Sequence, residues 1–170
     1  MVQKSSYMAV LEIFFLEPTA IHFIREISKR ISLAPTSVRN NISAMLKEGL
    51  IKKKSANPFN GFVANRENED FLFYKRVYNL YSLRELAKHL SSQYCPKLIA
   101  VFGSYGRGED VEESDVDIAI VSKPINSMNL SKYEEKLKRK IHCIVMEDIS
   151  KLEPNMRKKV YNGIVLFGGF

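Results

Sequence analysis

Residues 98–121 read L-I-A-V-F-G-S-Y-G-R-G-E-D-V-E-E-S-D-V-D-I-A-I-V, and they decide how the C-terminal part of the chain folds. Leu98 to Phe102 is a short apolar run of strand length. Gly103-Ser104 and an acidic loop follow, and a second apolar strand carries Asp115 and Asp117 near its start. Side chains alternate along a strand, so carboxylates two residues apart share a face. Asp is depleted in strands, so two of them opening an apolar run call for a chemical reason. A glycine-serine turn leading into a helix offers backbone N–H groups to an anion. Together these features describe a place to hold a phosphate beside a divalent cation. The loop acids from Glu109 to Glu113 are explained by solubility alone.

Two familiar glycine-rich motifs are excluded by the residues themselves. Gly103 to Gly108 has the G-x-x-x-x-G spacing of a Walker A loop, but Glu109 stands where that loop needs lysine. No G-x-G-x-x-G follows the strand, so the dinucleotide fingerprint fails as well.

What remains is G-S-x-x-x-G, five residues, then S-D-x-D, carried by Gly103, Ser104, Gly108, Ser114, Asp115 and Asp117. This pattern resembles the signature of the polymerase-beta-like nucleotidyltransferases, particularly their minimal members. The resemblance implies Mg²⁺-dependent transfer of an NMP from an NTP, with ATP the expected donor. It implies that Asp115 and Asp117 bind the metal, and that Gly103 and Ser104 take the β,γ-phosphates. Gly108 would allow the tight return and Ser114 would brace the carboxylates. Arg107 is either a phosphate ligand or a solvated surface residue. Catalytic members of the family usually carry a third carboxylate on the next strand. Here that strand is Lys140 to Met146, and the expected position falls on or near His142. A histidine there could act as a base, bind a metal or be structural. Glu147 and Asp148 lie beyond the strand.

Working toward the N-terminus, Glu69 to Ser92 reads as helix, dense in Phe and Tyr up to Tyr81, with two helices meeting near there. Ser82-Leu83-Arg84-Glu85 has the capping-box pattern. Such aromatics point to packing between domains or to a homodimer surface. Before them, Tyr7–Leu16 predicts a buried helix, Phe23–Ile31 an amphipathic one, and Pro35 the start of a third. Val38, Ile42, Met45 and Leu46 form the inner stripe of the third helix. Thr36, Ser37 and Asn40 point away, with Arg39 on a flank. Leu50–Lys54 and Phe62–Ala64 predict a hairpin whose turn spans Ala56 to Gly61. This order resembles a winged helix-turn-helix. The resemblance implies double-stranded DNA as partner, with Thr36, Ser37, Arg39, Asn40, Lys52 and Lys53 at the interface.

Charge distribution agrees with a polyanion partner at that end. The chain of 170 residues carries a net +7, of which residues 1–68 hold +5, ten Lys/Arg against five Asp/Glu. After Val121, Ser131 to Glu134 repeats the capping-box pattern, Ile141–Met146 predicts a strand, and Ile149–Tyr161 loop and helix. Gly163 is the expected helix stop, and Ile164–Phe167 the last strand. The expected fold class is therefore α/β (α+β). It comprises a winged helix-turn-helix over 1–68, a helical connector over 69–92, and a nucleotidyltransferase-type mixed sheet with flanking helices over 93–170. Apolar runs such as Met8–Leu11 are far too short for a membrane span, and M-V-Q-K-S-S lacks secretory signal architecture. Cys95 and Cys143 make no metal or disulfide framework and read as buried free thiols. A cytoplasmic protein with an NTP substrate and a protein, nucleotide or nucleic-acid acceptor is the expectation. The alternative is a DNA-binding regulator whose second domain only binds nucleotide, because the third carboxylate is missing.

Overall fold

The structure, a computed structural model, describes residues 5–57 and 60–169. Residues 1–4 and the centre of the expected hairpin turn, Pro58 and Phe59, lie outside the described residues. The chain divides into two compact units, Met1–Leu72 and Phe73–Phe170.

In the first unit α1 (Ser6–Leu16), α2 (Ile24–Ile31) and α3 (Pro35–Lys47) precede β1 (Ile51–Lys54) and β2 (Gly61–Ala64), which pair antiparallel. The Ser5 hydroxyl caps α1 by accepting from the Met8 N–H at 3.3 Å. Val10, Leu11, Ile13, Phe14 and Phe15 are buried along α1. Between α2 and α3 the Ser28 hydroxyl donates to the Leu33 carbonyl at 2.6 Å, and Pro35 occupies the first turn of α3. Val38, Ile42 and Met45 are buried, Ser37 and Leu46 half-buried, and Thr36, Arg39 and Asn40 exposed. His22 and Phe62 exchange backbone hydrogen bonds of 2.8 and 2.9 Å, so the α1–α2 connection adds an extended segment beside the hairpin.

The second unit begins within α4 (Glu69–Ser82) and continues through α5 (Arg84–Tyr94), β3 (Leu98–Phe102), α6 (Gly103–Arg107) and β4 (Val116–Val121). There follow α7 (Ser131–Leu137), β5 (Ile141–Met146), a 3₁₀ turn at Ile149–Lys151, α8 (Pro154–Tyr161) and β6 (Ile164–Gly168). The sheet order is β5-β4-β3-β6, with β3 antiparallel to both neighbours and β4 parallel to β5. Leu83, Leu86, Leu90 and Leu137 pack on one face, over Ile99, Val101, Ile118 and Ile120. Ile149 and Val160 pack on the other, with Leu98, Ala100, Phe102, Ala119 and Val121. Covering both faces explains why β3 and β4 are continuous apolar runs rather than alternating ones.

Several local expectations are corrected. Neither capping box forms. The Ser82 hydroxyl donates to the Asn79 carbonyl instead, and Glu85 pairs with Lys136. At α7 the Asn129 side chain receives the Ser131 N–H and hydroxyl, while Glu134 reaches the Ile141 N–H. Gly163 does not stop α8 through a left-handed turn. It is required because a Cβ there would stand 2.6 Å from the Val101 carbonyl oxygen. Of the aromatic run, Phe71 is buried while Phe73, Tyr74 and Tyr81 are exposed. Among the described residues no helix is long and apolar enough to cross a membrane.

The acidic loop is not simply a solvated surface. Asp110 is 2% exposed and faces Lys75, 1% exposed, with Nζ 3.2 Å from Oδ2. Lys75 also donates to the Asp110 carbonyl. Asn79 Nδ2 donates to Asp110 Oδ1 at 2.8 Å and to the Tyr105 carbonyl at 2.9 Å. Helix α4 thus anchors both α6 and the loop that leads into the D-x-D strand. Arg139 Nη2 stands 4.0 Å from the same Asp110 Oδ2, so removing Lys75 takes away the nearer of two buried cations. Lys75→Met is therefore expected to destabilise the second unit by about 3–5 kcal/mol, measurable by urea denaturation or local hydrogen exchange. Cys95 is exposed, contrary to expectation, whereas burial pushes the half-buried Cys143 thiol up to about 11. A thiol reagent at neutral pH should label Cys95 and spare Cys143, by peptide mass mapping.

Candidate active site

The register of the sheet assembles the site. Antiparallel pairing of β3 with β4 sets Phe102 opposite Asp117, so the turn after β3 emerges beside the D-x-D pair. Gly103 begins α6 with φ +71, a left-handed conformation that favours glycine. A Cβ there would stand 2.3 Å from Asp117 Oδ2. The Asp117 carboxylate therefore lies directly against the Gly103 backbone, which only glycine allows. Val116 is fully buried in the core on the α5 side, while Asp115 is exposed and Asp117 half-buried. The alternation along β4 turns the Asp117 carboxylate toward the α8 face of the sheet, while Asp115 stands one residue before the strand and not within it as expected.

Parallel pairing of β4 with β5 places His142 in register with Asp117. Its Nδ1 lies 3.5 Å from Asp117 Oδ1, with the histidine 64% and the aspartate 31% exposed. This is the neighbouring-strand position at which the sequence pattern calls for a third acid. Among the described residues, no cluster of three or more His, Cys, Asp or Glu side chains could hold a metal ion. Mg²⁺ is usually bound through one or two carboxylates plus substrate phosphates. Asp115 and Asp117 fit one such ion on these terms, and no third carboxylate completes a second.

The remaining motif residues shape the surroundings. Gly108 caps α6 with φ +74, and the Glu109 N–H returns to the Ser104 carbonyl at 2.9 Å. Ser114 does its bracing within the loop: its hydroxyl accepts from the Val111 N–H at 2.9 Å, and its own N–H donates to the Val111 carbonyl. Arg107 donates from Nε to Glu109 Oε2 at 2.7 Å, both side chains being exposed. Burial pushes the Tyr105 hydroxyl up to about 12 while Ser82 shares a 2.9 Å hydrogen bond with it, so it is a protonated structural group near neutral pH. Sequence reasoning missed the other wall of the site. A cavity of about 480 Å³ is bounded by Phe102, Gly103, Gly106 and Arg107 on one side. Its other side is Asn155, Lys158, Lys159 and Asn162 of α8 and its end. The run Arg157-Lys158-Lys159 was the only signal available.

Thr36, Ser37, Arg39 and Asn40 on α3, and Lys52 and Lys53 on β1, belong to the first unit and form no part of this site. Lys52 Nζ donates to Glu67 Oε2 at 2.6 Å in an exposed pair, whose energetic worth is small.

The nucleotidyltransferase domain family matches residues 83–169. A candidate protein adenylyltransferase of Methanocaldococcus jannaschii is 47% identical over 53 residues, 31% of this chain and 53% of that protein. A second from the same organism is 34% identical over 88 residues, 49% of this chain and 88% of that protein. The chain thus spans about half the length of the first and most of the second. A crystal structure of a candidate nucleotidyltransferase from Sulfolobus solfataricus is 20% identical, covering 55% of this chain and 84% of that one, with a TM-score of 0.33. The family match takes in just over half of the chain, whose central strands carry the paired glycine-serine turn and D-x-D, and the chain belongs to the nucleotidyltransferase domain family.

Proposed function

We propose that the protein transfers an NMP, with ATP as the donor, to an acceptor hydroxyl using Mg²⁺ held by Asp115 and Asp117. One observation carries this reading: the Asp117 carboxylate is packed against the backbone of Gly103, so metal-binding and phosphate-binding elements share one point. In the reaction the acceptor oxygen bonds to the α-phosphorus and gives up its proton to solvent, the bond from that phosphorus to the β-phosphate oxygen breaks, and pyrophosphate leaves. Charge grows on the phosphoryl oxygens and the leaving group, so the protein's task is positioning and neutralisation. Bound Mg²⁺ supplies Lewis-acid stabilisation of those oxygens. Asp115 and Asp117 would hold that ion, Gly103 and Ser104 would meet the phosphate chain at the turn, and Gly108 with Ser114 fixes the loop between them. The names of the two relatives favour a protein hydroxyl as acceptor.

A second reading is favoured by His142. With a histidine where the third acid is expected, the site is suited to holding a nucleotide and less suited to activating the acceptor. The protein would then be a DNA-binding regulator with a nucleotide-sensing domain. The first unit supports DNA binding under either reading. What supports it is three helices followed by an antiparallel hairpin, with Thr36, Arg39, Asn40 and Lys53 exposed.

Incubating the full chain with labelled ATP, Mg²⁺ and candidate protein acceptors tests the enzyme. Asp117→Asn is expected to lower transfer about 10²-fold or more, the scale of removing one charge-stabilising group. Gly103→Ala should do likewise by displacing the carboxylate, and His142→Asp should raise transfer. Wild-type labelling that persists undiminished in Asp117→Asn would overturn the assignment. Duplex DNA binding should weaken steeply with salt, and Lys52→Ala/Lys53→Ala should flatten the log–log salt slope by about 2. An unchanged slope would count against the interface.

A further inference from the structure

The cavity beside Gly103 has a chemistry that the motif residues leave unused. Its charged lining consists of Arg107, Lys158 and Lys159, three cations with no acid among them, and Asn155 and Asn162 add amide groups. Arg107 is already paired with Glu109 at 2.7 Å, so Lys158 and Lys159 carry the excess positive charge of the lining, and they favour a multiply charged anion. Its place in the sheet identifies that anion. Phe102 forms part of the wall and lies in the core under α8. Phe102 is also the cross-strand partner of Asp117, so the cavity opens on the same sheet face as that carboxylate. Gly103 belongs to both, touching Asp117 on one side and the cavity on the other.

The approach of α8 is built into the backbone. At Gly163, just after α8, a Cβ would stand 2.6 Å from the Val101 carbonyl oxygen, and at Gly106 in α6 one would stand 3.2 Å from the same atom. Two glycines therefore bring α6 and the end of α8 against the end of one strand. Lys158 and Lys159 are exposed at their tips, where each can meet a ligand without first leaving a buried partner.

We propose that Lys158 and Lys159 of α8, with Arg107 of α6, seat the β- and γ-phosphates of the donor nucleotide and hold pyrophosphate as it leaves. This inference rests on the nucleotidyltransferase reading for the identity of the donor. The lysines are positioning residues: they neutralise the phosphate chain and touch no atom of the acceptor. Tripolyphosphate, ATP and AMP distinguish the phosphate chain from the nucleoside as the group recognised.

The test is calorimetric binding of those three probes to the full chain. The variants are Lys158→Gln/Lys159→Gln, Lys158→Arg/Lys159→Arg, and a remote surface control, Lys123→Gln. Transfer from labelled ATP is measured in parallel. The Gln pair should weaken ATP and tripolyphosphate about tenfold or more, the scale of losing charge-assisted contacts. It should leave AMP unchanged and raise KM for ATP more than it lowers kcat. The Arg pair should restore binding, and Lys123→Gln should change nothing. If wild type transfers NMP and the Gln pair binds ATP and tripolyphosphate as tightly as wild type, this inference fails while the enzyme assignment stands. If no transfer occurs yet tripolyphosphate binding is lost in the Gln pair, the phosphate seat stands and the enzyme assignment fails. If wild type binds neither tripolyphosphate nor ATP, the inference is overturned.

Discussion

The site depends on one cross-strand pairing, Phe102 opposite Asp117. A slip of one residue in this register would send Asp117 toward the α5 side and put a core residue in its place. The register is held by burial on both faces: every residue of β3, and all of β4 except Asp117, is buried. Site geometry is therefore a by-product of core packing. Asp117 is the exception because it sits where the sheet ends and the Gly103 turn begins.

The loop between turn and strand is fixed in a different way. Lys75 and Asn79 on α4 reach a buried Asp110 and the Tyr105 carbonyl, closing a polar network inside an apolar layer. Such a network favours one loop conformation, because any other leaves buried charges without partners. Ser114 then finishes the turn through its reciprocal bonds to Val111. Carboxylates one residue further on inherit that rigidity.

Much of this was legible in the sequence, for reasons that can be named. Hydrophobic runs bounded by Gly, Ser and Pro gave the strand-helix alternation of the second unit, though Asp115 falls one residue before β4 and not within it. The neighbouring-strand register could be anticipated well enough to point at His142, which stands 3.5 Å from Asp117. Charge patterns were the poor guide. Asp110 looked like one acid among several, because the partner that buries it lies 35 residues upstream. Glu85 and Glu134 looked like helix caps and instead bind Lys136 and the Ile141 N–H. Lys158 and Lys159 gave no local signal of a site, since nothing nearby in the sequence shows that α8 ends beside Gly103. Local pattern reports backbone state; which charges meet is a tertiary matter.

His142 has a consequence for how this protein can change. Its side chain is largely exposed at the start of an edge strand, where substitutions usually shift stability by no more than about 0.5 kcal/mol. The identity of the residue beside Asp117 is thus free of the packing constraints that govern β3 and β4. A single exchange can change the charge and hydrogen-bonding capacity beside Asp117 while the scaffold, the Gly103 turn and the Asp115–Asp117 pair stay as they are. Fold and local site chemistry are mutationally separable here, so a chain of this design can exchange the residue beside Asp117 without crossing an unfolded intermediate sequence.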